Sequence, residues 1–305
     1  MQQFIATRIV QGLITLIIVS FLAFFLVRLK GDPVDITAPP TFNEDQKQRL
    51  RELWGFDKPL AEQYVIFVTR AVTGDFGIAY LSKRPAMELV IERLGATWLL
   101  AGVASLIGLS VALPLGIISS LKRNSFFDLG STMLASVGTA MPSFWLGLML
   151  IIFFSVRLRL LPAFGARDPS AIIMPSLTMG VGMAAYLSRL TRSAMLEVLN
   201  EDYVRTAYSK GLITRTVVFR HAMKNALIPI MTVFGLQLGW LLGGSVVVES
   251  VFSWPGLGRL MIDSIGVRDN TVVQAALLFF SLSFISINIV IDILYAVIDP
   301  RIRFD

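Results

Sequence analysis

Cysteine is absent from the 305 residues, and histidine occurs once, at position 221. Without thiols there is no disulfide framework, no thiolate metal site and no cysteine nucleophile. With one imidazole there is no histidine pair for a metal or a proton relay. Charge is scarce as well: 16% of the residues are charged, against about 25% in an ordinary soluble domain. Hydrophobic residues make up 55% and the mean hydropathy is +0.70, so the chain lacks the residues for a polar shell. A soluble enzyme, a zinc module and a secreted disulfide scaffold are all excluded.

The charges that remain avoid long stretches. Residues 9–27, 97–121, 129–156, 171–188, 225–248 and 271–291 contain none. Each is about 18 residues or more, the length a helix needs to cross a hydrocarbon core of about 30 Å. Backbone facing lipid must satisfy its own hydrogen bonds, so six transmembrane helices are expected. The first apolar run is too long for a signal-peptide core and lacks a small-residue cleavage site before Arg28 and Lys30, so it reads as a retained helix.

The net charge of +6 is mostly a topology signal. Arg8, Lys122, Arg123, Arg301, Arg303 and seven cations between Arg189 and Lys224 fall on the side of the termini; Arg157, Arg159, Arg167, Arg259 and Arg268 fall on the other. The loop over 30–95 is too long for the positive-inside bias to count. Twelve cations against five place both termini in the cytoplasm, and nucleic acid is a poor partner. The domain reading is an N-terminal segment and first helix over 1–29, an external helical loop over 30–95, a five-helix core over 96–298 with a cytoplasmic loop at 189–224, and a tail over 299–305. In the external loop, Thr41 and Glu44 have capping-box spacing, with Gly55 as the stop. Pro59 opens a second helix whose Val65, Val68 and Val72 share a face, ended by Gly74.

Catalysis finds no support. His221 lies among Arg215, Arg220 and Lys224, far from any intramembrane serine, and no metalloprotease motif or paired intramembrane aspartates occur. None of the seven lysines follows a glycine, so a phosphate-cradling Walker loop is missing. Gly180, Gly182 and Ala185 match a dinucleotide fingerprint only inside an apolar span without a preceding strand. If ATP is used, another chain binds it.

The segment from Glu197 to Pro229 is the most informative. Asn200, Glu201 and Asp202 put acids at a helix start, where the positive dipole end favours them. Val204, Ala207, Tyr208 and Gly211 come next at i, i+3, i+4 and i+7 as one narrow apolar face with two small residues, flanked by Arg205, Lys210 and Arg215. Thr214 can cap a second helix leading to Pro229, where the fifth span begins. An amphipathic helix resting on lipid is one reading; a docking helix for a groove in a soluble partner is the sharper one.

Asp202-Tyr203-Val204-Arg205-Thr206-Ala207-Tyr208-Ser209-Lys210-Gly211-Leu212, with Arg220-His221-Ala222 and Ile228-Pro229 downstream, resembles the coupling segment of peptide-branch permeases of bacterial ABC importers. Arg205-Thr206-Ala207 stands where the general importer motif has Glu-Ala-Ala. The likeness continues in Lys30-Gly31-Asp32-Pro33, Gly74-Asp75-Phe76-Gly77, Met141-Pro142-Ser143-Phe144-Trp145, Phe252-Ser253-Trp254-Pro255-Gly256 and Asp299-Pro300-Arg301-Ile302-Arg303. The short loop between the third and fourth spans and the stretch from Leu242 to Glu249 lean toward glutathione-import permeases. The resemblance implies an all-α, multi-pass protein of the bacterial inner membrane with the type I importer permease fold. It implies a second permease, usually a different chain, two cytoplasmic ATPases that bind ATP and magnesium, and an external substrate-binding protein. On this reading Val204, Arg205, Thr206, Ala207, Tyr208, Gly211, Leu212 and Pro229 couple to the ATPases, and the chain itself holds no cofactor or metal and is no enzyme.

Within the spans, Met141 and Trp145 beside Pro142, Gln237 in the fifth helix and Glu249 near its end are candidates for the translocation path, each set against plain packing. Asp292 is the other ionisable group near the membrane interior. Gly235, Gly239 and Gly243 recur on one helix face, as close packing requires. Pro114, Pro142 and Pro175 interrupt the apolar runs. Nickel chelates or other small solutes are alternative cargoes within the branch. An ion-coupled secondary transporter is the rival mechanism, opposed by charge-free spans, and a non-transporting membrane scaffold would leave the 204–211 face unexplained.

Overall fold

The computed structural model describes residues 2–28, 34, 38, 41–55 and 57–298. The tail over 299–305 with its Asp-Pro-Arg motif, and Lys30 to Pro33 of the motif after the first span, lie outside the described residues. The rest is built from helices: α1 (Gln2–Arg28), α2 (Glu44–Trp54), α3 (Leu60–Val72), α4 (Ala86–Leu121), α5 (Phe126–Ala140), α6 (Ser143–Leu150), α7 (Ile173–Leu199), α8 (Asp202–Ser209), α9 (Met223–Val251), α10 (Leu257–Gly266) and α11 (Asn270–Ile298). Helix α6 runs on as a π-helical stretch, Ile151–Arg157, and α9 is entered through a turn at Thr214–Thr216 and a second π-helical stretch, Val217–Ala222.

Five helical stretches are long and apolar enough to cross a membrane, and the bent pair Phe126–Ala140 with Ser143–Arg157 makes a sixth if it is one span. The uninterrupted third span expected over 129–156 is therefore not found: its two halves meet at 103°. Pro142 is the cause. It has no N–H to continue the ladder and it pushes Met141 out of the helical region, to φ −74° and ψ 125°, as a residue before proline prefers. Pro114, by contrast, sits inside a continuous α4, and Pro175 lies in the first turn of α7, where a missing N–H costs nothing. Helix α4 starts at Ala86, inside the expected external loop, with Glu88 at the positive end of its dipole.

Two compact units divide the chain: residues 2–96 with 255–286, and residues 97–254 with those from 287 on. In the first, the Phe24 ring of α1 packs against Tyr64 and Phe67 of α3, with centroids 5.4 and 5.8 Å away. The Ser20 and Tyr64 hydroxyls are 2.8 Å apart. Tyr64 and Phe67 are thus the inward face of α3; of the three valines that share a face, Val65 and Val72 are exposed. The cap of α2 is likewise displaced from Thr41: Asn43 and Gln46 form the reciprocal capping box, and Gly55 closes the helix at φ +72°. The Asp269 carboxylate accepts from the Tyr80 N–H at 2.6 Å and the Thr271 hydroxyl at 2.7 Å, pinning the turn before α4 to the start of α11. Burial first, then the Asp269 charge, pushes the Tyr80 hydroxyl up to about 12.

In the second unit α7 is the packing axis, with buried residues along its length. Small residues set its contacts. A Cβ on Gly116 of α4 would lie 2.5 Å from Thr191 Cβ and 2.7 Å from the Ser188 carbonyl oxygen, and one on Gly138 of α5 would lie 2.9 Å from Ala185. Gly180, from the apparent dinucleotide fingerprint, would be 3.0 Å from the Ala104 carbonyl oxygen; its role is helix packing. On α9, a Cβ on Gly235 would be 2.5 Å from Ile291, whereas Gly243 faces open space.

Candidate functional site

The segment between α7 and α9 is a folded joint. Glu201 adopts the extended N-cap conformation and Asp202 occupies the first turn of α8, as the acids in the sequence required. The apolar face goes elsewhere than expected. Val204 and Ala207 are 0% and 5% exposed, packed with Val217 against Val198 and Leu199. Burying Val204 contributes about 1.5–3 kcal/mol, and the face expected to meet a partner is filled by the chain itself. Asn225 donates to the Tyr203 hydroxyl at 2.8 Å, a second tie to α9. The opposite surface stays exposed: Arg205, Thr206, Tyr208, Ser209, Lys210, Gly211 and Leu212. Its hydroxyls are turned inward: Thr206 and Ser209 donate to the Asp202 and Arg205 carbonyls.

Gly211 has φ +76° with nothing within 4 Å of an added Cβ. It is there for its left-handed backbone, which lets its N–H reach the Tyr208 carbonyl at 2.9 Å and turns the chain out of α8. Thr214 does not cap the next helix: Ile213 holds the N-cap position, without a side-chain bond. Nor does a new helix begin at Pro229: helix runs from Thr214 through the π stretch and Pro229 lies inside α9.

A cluster beside this joint is not foreshadowed by the sequence pattern. Asp128, in the first turn of α5 and 3% exposed, takes a bidentate ion pair from Arg192 of α7: Nε to Oδ1 at 2.6 Å and Nη2 to Oδ2 at 2.7 Å. Ser119 of α4 also donates to its Oδ1, and the Asn124 N–H donates to Oδ2 at 2.9 Å. The legible signal was Ser125 three residues before Asp128, an N-cap pattern that the structure shows. The partner 64 residues away was not legible.

A cavity of about 180 Å³ lies among α5, α6, α7 and α9, lined by Gly138, Met141, Ser143, Leu146, Thr178, Met179, Gly182, Met183, Gln237, Trp240, Leu241, Gly244 and Val248. No lining residue is charged. The bend at Pro142 delivers Met141 and Ser143 to its wall. Of the four path candidates, Met141 and Gln237 line it; Trp145 and Glu249 do not. Trp145 is 44% exposed. Glu249 is fully buried and accepts from the Thr97 hydroxyl at 2.7 Å, a partnered position of the kind a buried carboxylate requires.

Membrane-crossing helices around an uncharged cavity, with a solvent-facing basic joint between two of them, define the membrane subunit of a transporter. The chain belongs to the family described as binding-protein-dependent transport system inner membrane component, whose model matches residues 112–304; the model of its N-terminal region matches residues 1–101. It is a multi-pass inner-membrane permease with the type I ABC importer fold. It is 43% identical over 305 residues, all of both chains, to the glutathione transport system permease protein GsiC of Escherichia coli strain K12, and equally to that of Shigella dysenteriae serotype 1. Among solved structures it resembles the MetNI methionine ABC transporter in inward-facing conformations, with TM-score 0.60 and 18% identity over 70% of this chain and 97% of that one. An amino acid ABC transporter crystallised with histidines gives 0.52 and 18% over 68% and 93%. These last two likenesses concern the fold.

Proposed function

We propose that this permease lines half of the translocation path of an ATP-driven importer for peptides, from dipeptides and oligopeptides to glutathione. The full-length relationship to a glutathione permease carries the reading. The uncharged cavity supports it, because Gln237 and Ser143 on its wall carry an amide and a hydroxyl that suit the amide groups of a peptide. Two separate cytoplasmic ATPases bind ATP and magnesium and dock on the exposed side of α8, through Arg205, Thr206, Tyr208, Gly211 and Leu212. Val204, Ala207 and Pro229 shape the segment from within. A second permease of similar topology completes the path, an external binding protein delivers the cargo, and both termini are cytoplasmic.

The test is uptake by the purified complex in liposomes holding ATP, with labelled glutathione and the binding protein outside. Uptake is expected to need ATP and to survive ionophores, with dipeptides competing and nickel chelates not. Uptake that persists without ATP and collapses with the ion gradient would refute the reading.

A further inference from the structure

Arg192 lies ten residues before the start of α8 and seven before the end of α7, about 10 Å along the axis of that helix. Its pair with Asp128 joins α5 to α7. Asp128 sits at the beginning of α5, and the other end of α5 is the Met141–Pro142 bend that walls the cavity. Arg192 sits on α7, whose opposite part supplies Thr178, Met179 and Met183 to the same cavity. Between these ends the two helices touch closely at Gly138 and Ala185. In the turn that carries Arg192, α4 is pressed on α7 through Gly116 and Thr191, and α4 also contributes Ser119 to the pair.

Asp128 is buried while Arg192 keeps 29% of its side chain exposed. Taking such a bidentate pair partly out of water is costly, so that well-packed apolar residues often stabilise as well or better. Its distinguishing property is direction: two parallel hydrogen bonds hold the guanidinium and carboxylate planes in one relative orientation. A methionine–leucine contact fixes no such orientation.

We propose that Asp128 and Arg192 are positioning residues for transport: their ion pair transmits displacement of the α8 joint from α7 into α5, and so moves the Pro142 bend at the cavity. This deepens the importer reading and rests on it. The pair touches neither the docking surface nor the cavity, and it acts through α5.

The chain has no cysteine, so spin labels can be placed at chosen sites in it before it is assembled with cysteine-free partner subunits. Labels at F126C, at the start of α5, and N200C, the C-cap of α7, report the start of the helix that carries Asp128 and the end of the helix that carries Arg192. With the pair intact their separation is expected to be narrow and the same with and without ATP. In D128N/R192M, which removes both charges together and leaves no buried ion unpaired, the distribution is expected to broaden or to shift between the two states. Labelled glutathione carried per ATP hydrolysed then falls about tenfold, the size of an ordinary coupling free energy between sites, while the ATPases still co-purify. R192K, which keeps the charge and loses the fork, is expected to fall between.

Three results would overturn the proposal. The intact pair could show the same state-dependent separation as the double variant, D128N/R192M could carry normal cargo per ATP, or that variant could lose its ATPases, which would make the pair a prop for the docking surface. Failure of the unsubstituted complex to retain ATPases would sink the importer reading itself, independently of these variants.

Discussion

Gly211 shows how a residue and its reason can come apart. Sequence spacing makes it a small residue on a docking face, where any bulk would clash. Within its own chain the structure gives it open space and a left-handed backbone, so the cost of substitution inside the fold is conformational, and the asparagine variant separates that cost from a clash with the docked ATPase. Transport by G211N is expected to stay close to that of the native chain, because asparagine visits this region readily. G211A is expected to lose part of it and G211V nearly all, with membrane insertion unchanged in each. Equal loss for asparagine and valine, read as ATP-driven uptake, would restore the steric explanation. Asp269 is the converse case. Asp269-Asn270-Thr271 before an apolar run reads as a helix cap, and the cap is there with the Val272 N–H at 3.4 Å. Its bond to Tyr80, 189 residues away, leaves no trace in sequence, because long-range polar partners have no periodicity. For the same reason Asp128 is inconspicuous in the sequence, while Glu249 stands out beside an apolar span.

Among elements, the apolar runs coincide with the five helical stretches long enough to cross a membrane and with the bent pair, yet they misjudge how several behave. Hydropathy counts residues along a line and is blind to a proline that turns the line through 103°. Periodicity found the two-faced character of α8 and α3, yet a small amphipathic helix does not say which neighbour covers its apolar side. In α8 the neighbour is Val217 of the same chain; in α3 it is Phe24, which meets Tyr64, while Val65 and Val72 stay outside. The stretch Val217–Ala222 adds a further property. A π-helical turn holds one residue more than the α-helical path between the same ends, so removing one exposed residue there restores ordinary helix without rotating the remainder of α9. Deletion of Phe219, which is 60% exposed, is therefore expected to leave expression and thermal stability in detergent near native. Deletion of Leu236, equally exposed but in regular helix, would turn the rest of α9 by about 100° and is expected to abolish folding. Equal outcomes for the two deletions would remove the distinction.

For the molecule as a whole, membership of the permease family was legible end to end, because lipid restricts a chain to few architectures and several turn motifs recur in order around the spans. Orientation rests on charge alone, and the absence of cysteine makes it easy to test. Single cysteines at Phe126 and Lys210 are expected to react with a membrane-impermeant maleimide only in broken cells, and one at Phe164, which is 62% exposed, in intact cells. Reaction of the first two in intact cells would invert the topology and with it the placement of the ATPases.

The packing of Val204 and Ala207 into the chain's own core has a practical consequence. Eight residues are too few to hold a helix in water unaided, so α8 owes its shape to Val217, Val198 and Leu199. A synthetic fragment copying it would arrive at a motor subunit as a random string. An inhibitor of that contact has to bring its own scaffold, a staple or a hairpin, in place of the wall that the native chain provides.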